Sequence, residues 1–164
     1  MTRVKFGIRE NLKIWLANSE KIVVAGIGNS IRSDDFVGLK IVQDLKGKVS
    51  NRVCLIECET VPESFMDEIV ELKPSHVLLV DAAVMGLEPG KVRLLDAEKV
   101  TEFPPISTHM LPLRVFCDYI VQLTKTKMAL LLIEPGNTEF GESLTLKVEA
   151  AAEKLTSILS DLLN

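Results

Sequence analysis

The sequence is poor in several things, and each shortage removes a class of function. Aromatic residues make up only 5% of its 164 residues, so the core has to be aliphatic. There is no block of lysine or arginine, and the formal net charge is −4. Nucleic acid and anionic membranes are therefore not expected as partners. No apolar run reaches the length needed to span a bilayer. The opening stretch, MTRVKFGIRENLKIWLANSEK, lacks the apolar region and cleavage site of a signal peptide. Three cysteines, an odd number without zinc-site spacing, fit a reducing compartment. A cytoplasmic protein is expected. No Walker lysine, GxSxG elbow or HExxH pair is found. No internal repeat or low-complexity segment is seen either. The length suits one domain, and a chain of this size buries roughly 70% of its unfolded surface without a staple.

What is present gathers around residues 21–38, KIVVAGIGNSIRSDDFVG. Ile22 to Ala25 is a β-branched, apolar run that reads as a buried strand. Gly26 and Gly28 allow a tight turn. Asn29 and Ser30 suit that turn. The adjacent acids Asp34 and Asp35 then precede an apolar-periodic run from Phe36 to Leu45. GxG after a strand is weak evidence alone, and the third glycine of a dinucleotide fingerprint is missing. Two carboxylates at a helix start would also repel a phosphate. Asp34 reads equally well as an ordinary helix-start acid.

The rest of the chain alternates strands with helices. An amphipathic helix is expected within Val4–Ala17. Strands follow at Arg52–Glu57, His76–Asp81, Lys91–Leu95 and Met128–Ile133. Helices are expected over Glu63–Leu72, opened by Pro62, over His109–Leu123 and over Thr145–Leu163. Residues 96–108 read as a long loop. This pattern predicts an α/β fold: a single domain with a twisted, mostly parallel five-stranded sheet and helices on both faces. The short link from the third to the fourth strand predicts one antiparallel member.

Three polar residues fall at corresponding places. Asp35 follows the first strand, Asp81 ends the third, and His109 follows the long loop within STHMLPL. A parallel sheet would bring both acids to one carboxyl edge, where open α/β sheets bind ligands. Two carboxylates and an imidazole suit a borderline divalent ion such as nickel, zinc or cadmium. Taken singly, Asp81 reads equally as a strand-end acid, and a lone histidine like His109 is more often structural. His76, just before an apolar strand, is expected to be structural. Cys54, Cys58 and Cys117 read as core or boundary thiols. Ser107 and Thr108 lie next to His109, but neighbours at a helix start rarely face each other, so a serine hydrolase is disfavoured.

From Lys21 to its end, the chain resembles the NiFe-hydrogenase maturation endopeptidases. The likeness is strongest to the branch that processes the large subunit of hydrogenase-3-type enzymes. It is carried by GIGNSIRSDD at 26–35, LLVDAAVMGLEPGKVRLLD at 78–96, STHMLPL at 107–113 and LIEPGNTEFGESLTLKVEAA at 132–151. The resemblance implies one maturation-protease domain over 1–164, with residues 1–20 as a helical extension. It implies a catalytic metal site of Asp35, Asp81 and His109 in an aspartic-type endopeptidase. The expected reaction removes a C-terminal peptide from a hydrogenase large-subunit precursor after nickel insertion. Nickel carried by the substrate would be the recognition signal, with cadmium or zinc able to stand in. A monomer is expected.

The sequence departs from the family pattern at Phe36, where glycine is common. It departs again at Glu57-Cys58-Glu59, where Asp-Gly-Gly is common, which makes Glu57 a further, weaker candidate at the cleft. Two other readings stay open. One is a metal-binding maturation chaperone that cuts nothing. The other is a nucleotide-binding protein built on GIGN.

Overall fold

The computed structural model describes residues 6–97 and 110–164, with the side chains of 110–114 also outside the description. Strands β1 (Ile22–Ile27), β2 (Val53–Glu59), β3 (His76–Ala82), β4 (Val92–Asp96) and β5 (Lys127–Ile133) form one sheet in the order β2-β1-β3-β5-β4. The first four in that order run parallel, and β4 is antiparallel to β5. The antiparallel member is therefore present, but it does not sit beside β3. The link after β3 is long enough to cross over the end of β5, so β5 takes the place next to β3. Apolar runs show which segments are strands; they do not show which strand lies beside which.

Side chains alternate across the sheet, as the pleat requires. Ile22, Val24, Leu78, Val80, Leu131 and Ile133 face one core, packed by helices α1 (Ile8–Trp15), α2 (Val37–Asp44) and α5 (Leu146–Leu162). Val23, Ala25, Val77, Leu79, Leu130 and Leu132 face the other, packed by α3 (Met66–Leu72) and α4 (Met110–Thr124). Each buried leucine, isoleucine or valine contributes about 1.5–3 kcal/mol over an exposed one, so an aliphatic core suffices. The expected helices at 35–45 and 63–72 each open with a 3-10 turn, Ser33–Phe36 and Pro62–Phe65. The expected 96–108 loop lies largely outside the described residues.

Helix α2 lies very close to the sheet. A Cβ built on Gly38 would come within 2.1 Å of the Val80 carbonyl oxygen and 2.5 Å of that of Ile27. Only a glycine lets the start of α2 sit over β1 and β3 at this distance. The order also reverses between β1 and β3: from β1 the chain moves outward to β2, then returns to the other side as β3. Such a reversal opens a crevice at the carboxyl ends of the strands.

Candidate active site

Asp81, next to last in β3, lies at that crevice and is 2% exposed. Its Oδ1 accepts a hydrogen bond from the Ala82 backbone N–H at 2.8 Å. Asp35 sits on the 3-10 turn after β1, half-buried, and that turn packs against β3. Burial, and then the neighbouring negative charge of Asp35, push the Asp81 carboxyl well above the usual carboxylate range. The two acids that the sequence pairs through a parallel sheet are thus electrostatic neighbours. A cation between them would relieve both causes of the shift.

The turn that carries Asp35 is fixed by many bonds. Asn29 Oδ1 accepts from the Ile31 N–H at 3.1 Å, which is an Asx turn. The Asp35 N–H donates to the Arg32 carbonyl at 3.0 Å. Ser33 holds a left-handed backbone at φ 48°, a conformation that needs outside support. That support is its N–H to the Gly141 carbonyl at 2.8 Å and its Oγ to the Glu139 carbonyl at 2.9 Å. Gly28 completes the fit, since a Cβ there would meet the Asp35 carbonyl oxygen at 2.4 Å. The glycines of GIGN therefore admit the protein's own backbone where a dinucleotide fingerprint would admit a pyrophosphate.

Asp34 does something else. Fully buried, its carboxylate accepts from the N–H groups of Gly136, Asn137 and Thr145 at 2.7–2.9 Å and from the Thr145 hydroxyl at 2.7 Å. It is not a helix cap on its own turn. It gathers the segment between β5 and α5 against the turn that carries Asp35.

Other residues find structural places. Glu57 is bonded by Gln43 of α2 at 2.7 Å and by Lys46 at 2.5 Å. The Lys46 hydrogen bond, then that of Gln43, hold its carboxyl below the ordinary value. It ties β2 to α2 and gives no sign of joining the acids. His76 is structural, as read from the sequence: its ring nitrogens lie 2.9 Å from Ser75 Oγ and 3.1 Å from the Trp15 carbonyl oxygen. All three cysteines are free. Burial pushes the Cys58 and Cys117 thiols up to about 12, too high for a nucleophile. Sequence reasoning missed Glu134, buried just after β5, whose Oε2 accepts from the Met85 N–H at 2.6 Å. It holds down the segment that leaves Asp81. An acid closing an apolar strand, the same signal as at Asp81, marks it in the sequence.

His109 lies outside the described residues. Among the described residues, no three His, Cys, Asp or Glu side chains gather as a metal site.

The HycI family model, described as hydrogenase maturation protease, matches residues 39–161. The chain belongs to this family. A candidate hydrogenase maturation protease of Methanocaldococcus jannaschii is 29% identical over 95% of this chain and 96% of its own. The hydrogenase 3 maturation protease of Escherichia coli K12 is 29% identical over 80% of this chain and 83% of its own. Among solved structures, the maturation protease HycI of Thermococcus kodakarensis superposes with a TM-score of 0.86 at 32% identity, covering 93% of this chain and 98% of that one. The endopeptidase HycI of Escherichia coli gives 0.76 at 28% identity, covering 86% and 90%. The single mostly parallel sheet is thus the family fold. No helix among the described residues is long and apolar enough to cross a membrane.

Proposed function

We propose that this chain is a cytoplasmic, monomeric endopeptidase that removes the C-terminal peptide of a hydrogenase large-subunit precursor once nickel is in place. Asp35, Asp81 and His109 are the residues assigned to the site. Residues 1–20 are read as an extension of the same domain, with α1 (Ile8–Trp15) as its described helix. The observation that carries the reading is the meeting of Asp35 with buried Asp81 at the β1–β3 crevice of a maturation-protease fold.

The donor chemistry fits nickel arriving with the precursor. Two carboxylates that repel each other are two hard donors in want of a cation, and an imidazole adds a borderline one. Nickel held by the precursor would be substrate to this enzyme, and cadmium or zinc would serve as probes of the same donors. Bound between the two proteins, the ion would polarise the scissile carbonyl or a water. Where the ion only positions the peptide, one carboxylate of the pair would accept a proton from the attacking water as general base. That role would make the enzyme aspartic in type. Because the sequence carries no GxSxG or HExxH motif and no activated nucleophile is found among the described residues, one part of the site is expected to come with the substrate. Cleavage is then gated by the metal, which is a specificity device.

A time course tests this. Enzyme in excess is mixed with nickel-loaded precursor, metal-free precursor or a free peptide copying the cleavage sequence. Only the first should be shortened, and Asp35→Asn should stop it. Cleavage of all three at similar rates would refute metal gating. A nickel-loaded precursor that is bound but left whole would favour the chaperone reading.

A further inference from the structure

Among the described residues, several large apolar side chains stand exposed on the segments that leave the carboxyl ends of strands: Ile31, Val61, Val84 and Phe140, with Leu146 exposed at the start of α5. Phe140 is the most telling of them, at 84% exposure. It lies between β5 and α5, in the segment that Asp34 gathers in.

An exposed ring on a loose loop would mean little. This one is held on both sides. The carbonyl of Glu139, one residue before, accepts from Ser33 Oγ at 2.9 Å. Gly141, one residue after, donates to the Ile31 carbonyl at 3.0 Å and accepts from the Ser33 N–H at 2.8 Å. Arg32 Nε adds a bond to the Thr138 carbonyl at 3.1 Å. The backbone around Phe140 is thereby stitched to residues 31–33, just before the acidic pair. Ile31, joined to this segment by the Gly141 bond, is itself 52% exposed. Burying such a ring on association costs little ordering entropy, because the backbone is already fixed. Aromatic anchors of this kind carry a large share of interface energy.

We infer that Phe140 and Ile31 are a docking anchor for the folded precursor, seating an apolar patch of its surface beside the segment to be cut. The inference rests on the proposed endopeptidase reading. Its occupant is a protein because the family's reaction is on a protein, and it is the precursor because the anchor is bonded directly to the turn that bears Asp35.

The experiment measures kcat and KM on nickel-loaded precursor for wild type, Phe140→Ser, Ile31→Ser, the double variant and Phe140→Leu. Ile14→Ser, an exposed apolar position (55%) on α1, serves as the control. Phe140→Ser should raise KM at least about tenfold, the size expected for a lost hot spot, with kcat little changed. Ile31→Ser should do less, the double variant more. Phe140→Leu should restore most of the affinity, and Ile14→Ser should behave as wild type. An unchanged KM in the double variant, or a fall in kcat alone, overturns the docking role. Sedimentation of the enzyme alone is run beside it. A wild-type dimer that Phe140→Ser converts to monomer would assign the patch to a second copy instead and overturn the inference. Wild type that leaves the precursor uncut would overturn the endopeptidase reading itself, a result distinct from wild-type cleavage with a silent Phe140.

Discussion

The two edges of the sheet are built on opposite terms. At the amino edge, polar groups are mostly matched. Ser75 Oγ accepts from the Glu20 N–H at 2.8 Å and bonds the Lys21 carbonyl at 3.1 Å, and Thr126 Oγ1 donates to the Pro74 carbonyl at 2.8 Å. Both ring nitrogens of His76 have partners. Among the described residues the exceptions there are the Trp15 indole N–H and Ser50 Oγ, just ahead of β2, both buried without a partner. At the carboxyl edge, a fully buried carboxylate faces a second one, and apolar side chains stand in water. The first edge stabilises the fold. The second keeps a repulsive acid pair and exposed apolar groups that a proton or a bound partner would relieve, as a candidate functional site does.

The contrast is sharpest within one dipeptide, and there the largest effect is expected. Asp34 is fully matched, while Asp35 makes no side-chain hydrogen bond among the described residues. Asp34→Ala should leave three backbone donors and a hydroxyl without their acceptor. At about 1–3 kcal/mol for each buried unmatched group, the loss should be at least ~3 kcal/mol, read as a large fall in Tm. Processing should fall as well, because Asp35 and Phe140 share the scaffold that Asp34 ties together. A Tm within a degree or two of wild type would break the division of labour within the pair.

Asp81→Asn comes next, and it should move stability and activity in opposite directions. The amide oxygen can still accept from the Ala82 N–H, while the repulsion from Asp35 is gone. The folded state holds the Asp81 proton more tightly than the unfolded chain does. Wild type therefore loses stability as pH rises from the ordinary aspartate range toward the raised value. Thermal melts should show Asp81→Asn at or above wild type at pH 8 and the two converging near pH 4, with processing abolished at both. A variant less stable than wild type at pH 8 would mean that the acid is structural.

Much of this was legible in the chain, and the rest was hidden for a physical reason. Five apolar runs and their periodic partners gave the strands and helices, because burial on both faces leaves a local signature. Asp35 and Asp81 could be paired because a parallel sheet puts strand exits on one edge. The place of β4 could not be read, since strand order depends on how connections cross, not on composition. Nor could the role of Asp34: its partners Gly136, Asn137 and Thr145 lie more than a hundred residues away. The turn-forming run PGN ahead of α5 was the only local hint that a backbone cluster there needed an acceptor. The position of Glu57 in the sequence suggests the cleft, and only the fold shows that its side chain bonds Gln43 and Lys46.

The smallest effect tests the amino edge, whose pH dependence should run the other way. Burial first, then the positive charge of Lys127, hold the His76 ring below its ordinary value of 6.5, with Arg52 adding a little and the Trp15 carbonyl opposing. The neutral ring donates through Nε2 to that carbonyl and stands edge-on to the Trp15 indole, centroids 5.0 Å apart at 81°. As pH falls through about 6.5 the unfolded chain takes up a proton that the folded ring refuses, so stability is lost on the acid side. One proton sets the ceiling at about 1.4 kcal/mol per pH unit. His76→Gln keeps a donor for the Trp15 carbonyl but cannot titrate. It should be less stable than wild type at pH 8, where the ring contact is lost and nothing is gained. The gap should narrow as pH falls toward 5, because only wild type carries the proton penalty. Processing of precursor at pH 8 should be unaffected, since the residue sits at the far end of β3 from Asp81. A constant gap between pH 8 and 5 would mean that the histidine is not kept neutral by the fold, and that the amino edge is less completely matched than its hydrogen bonds imply.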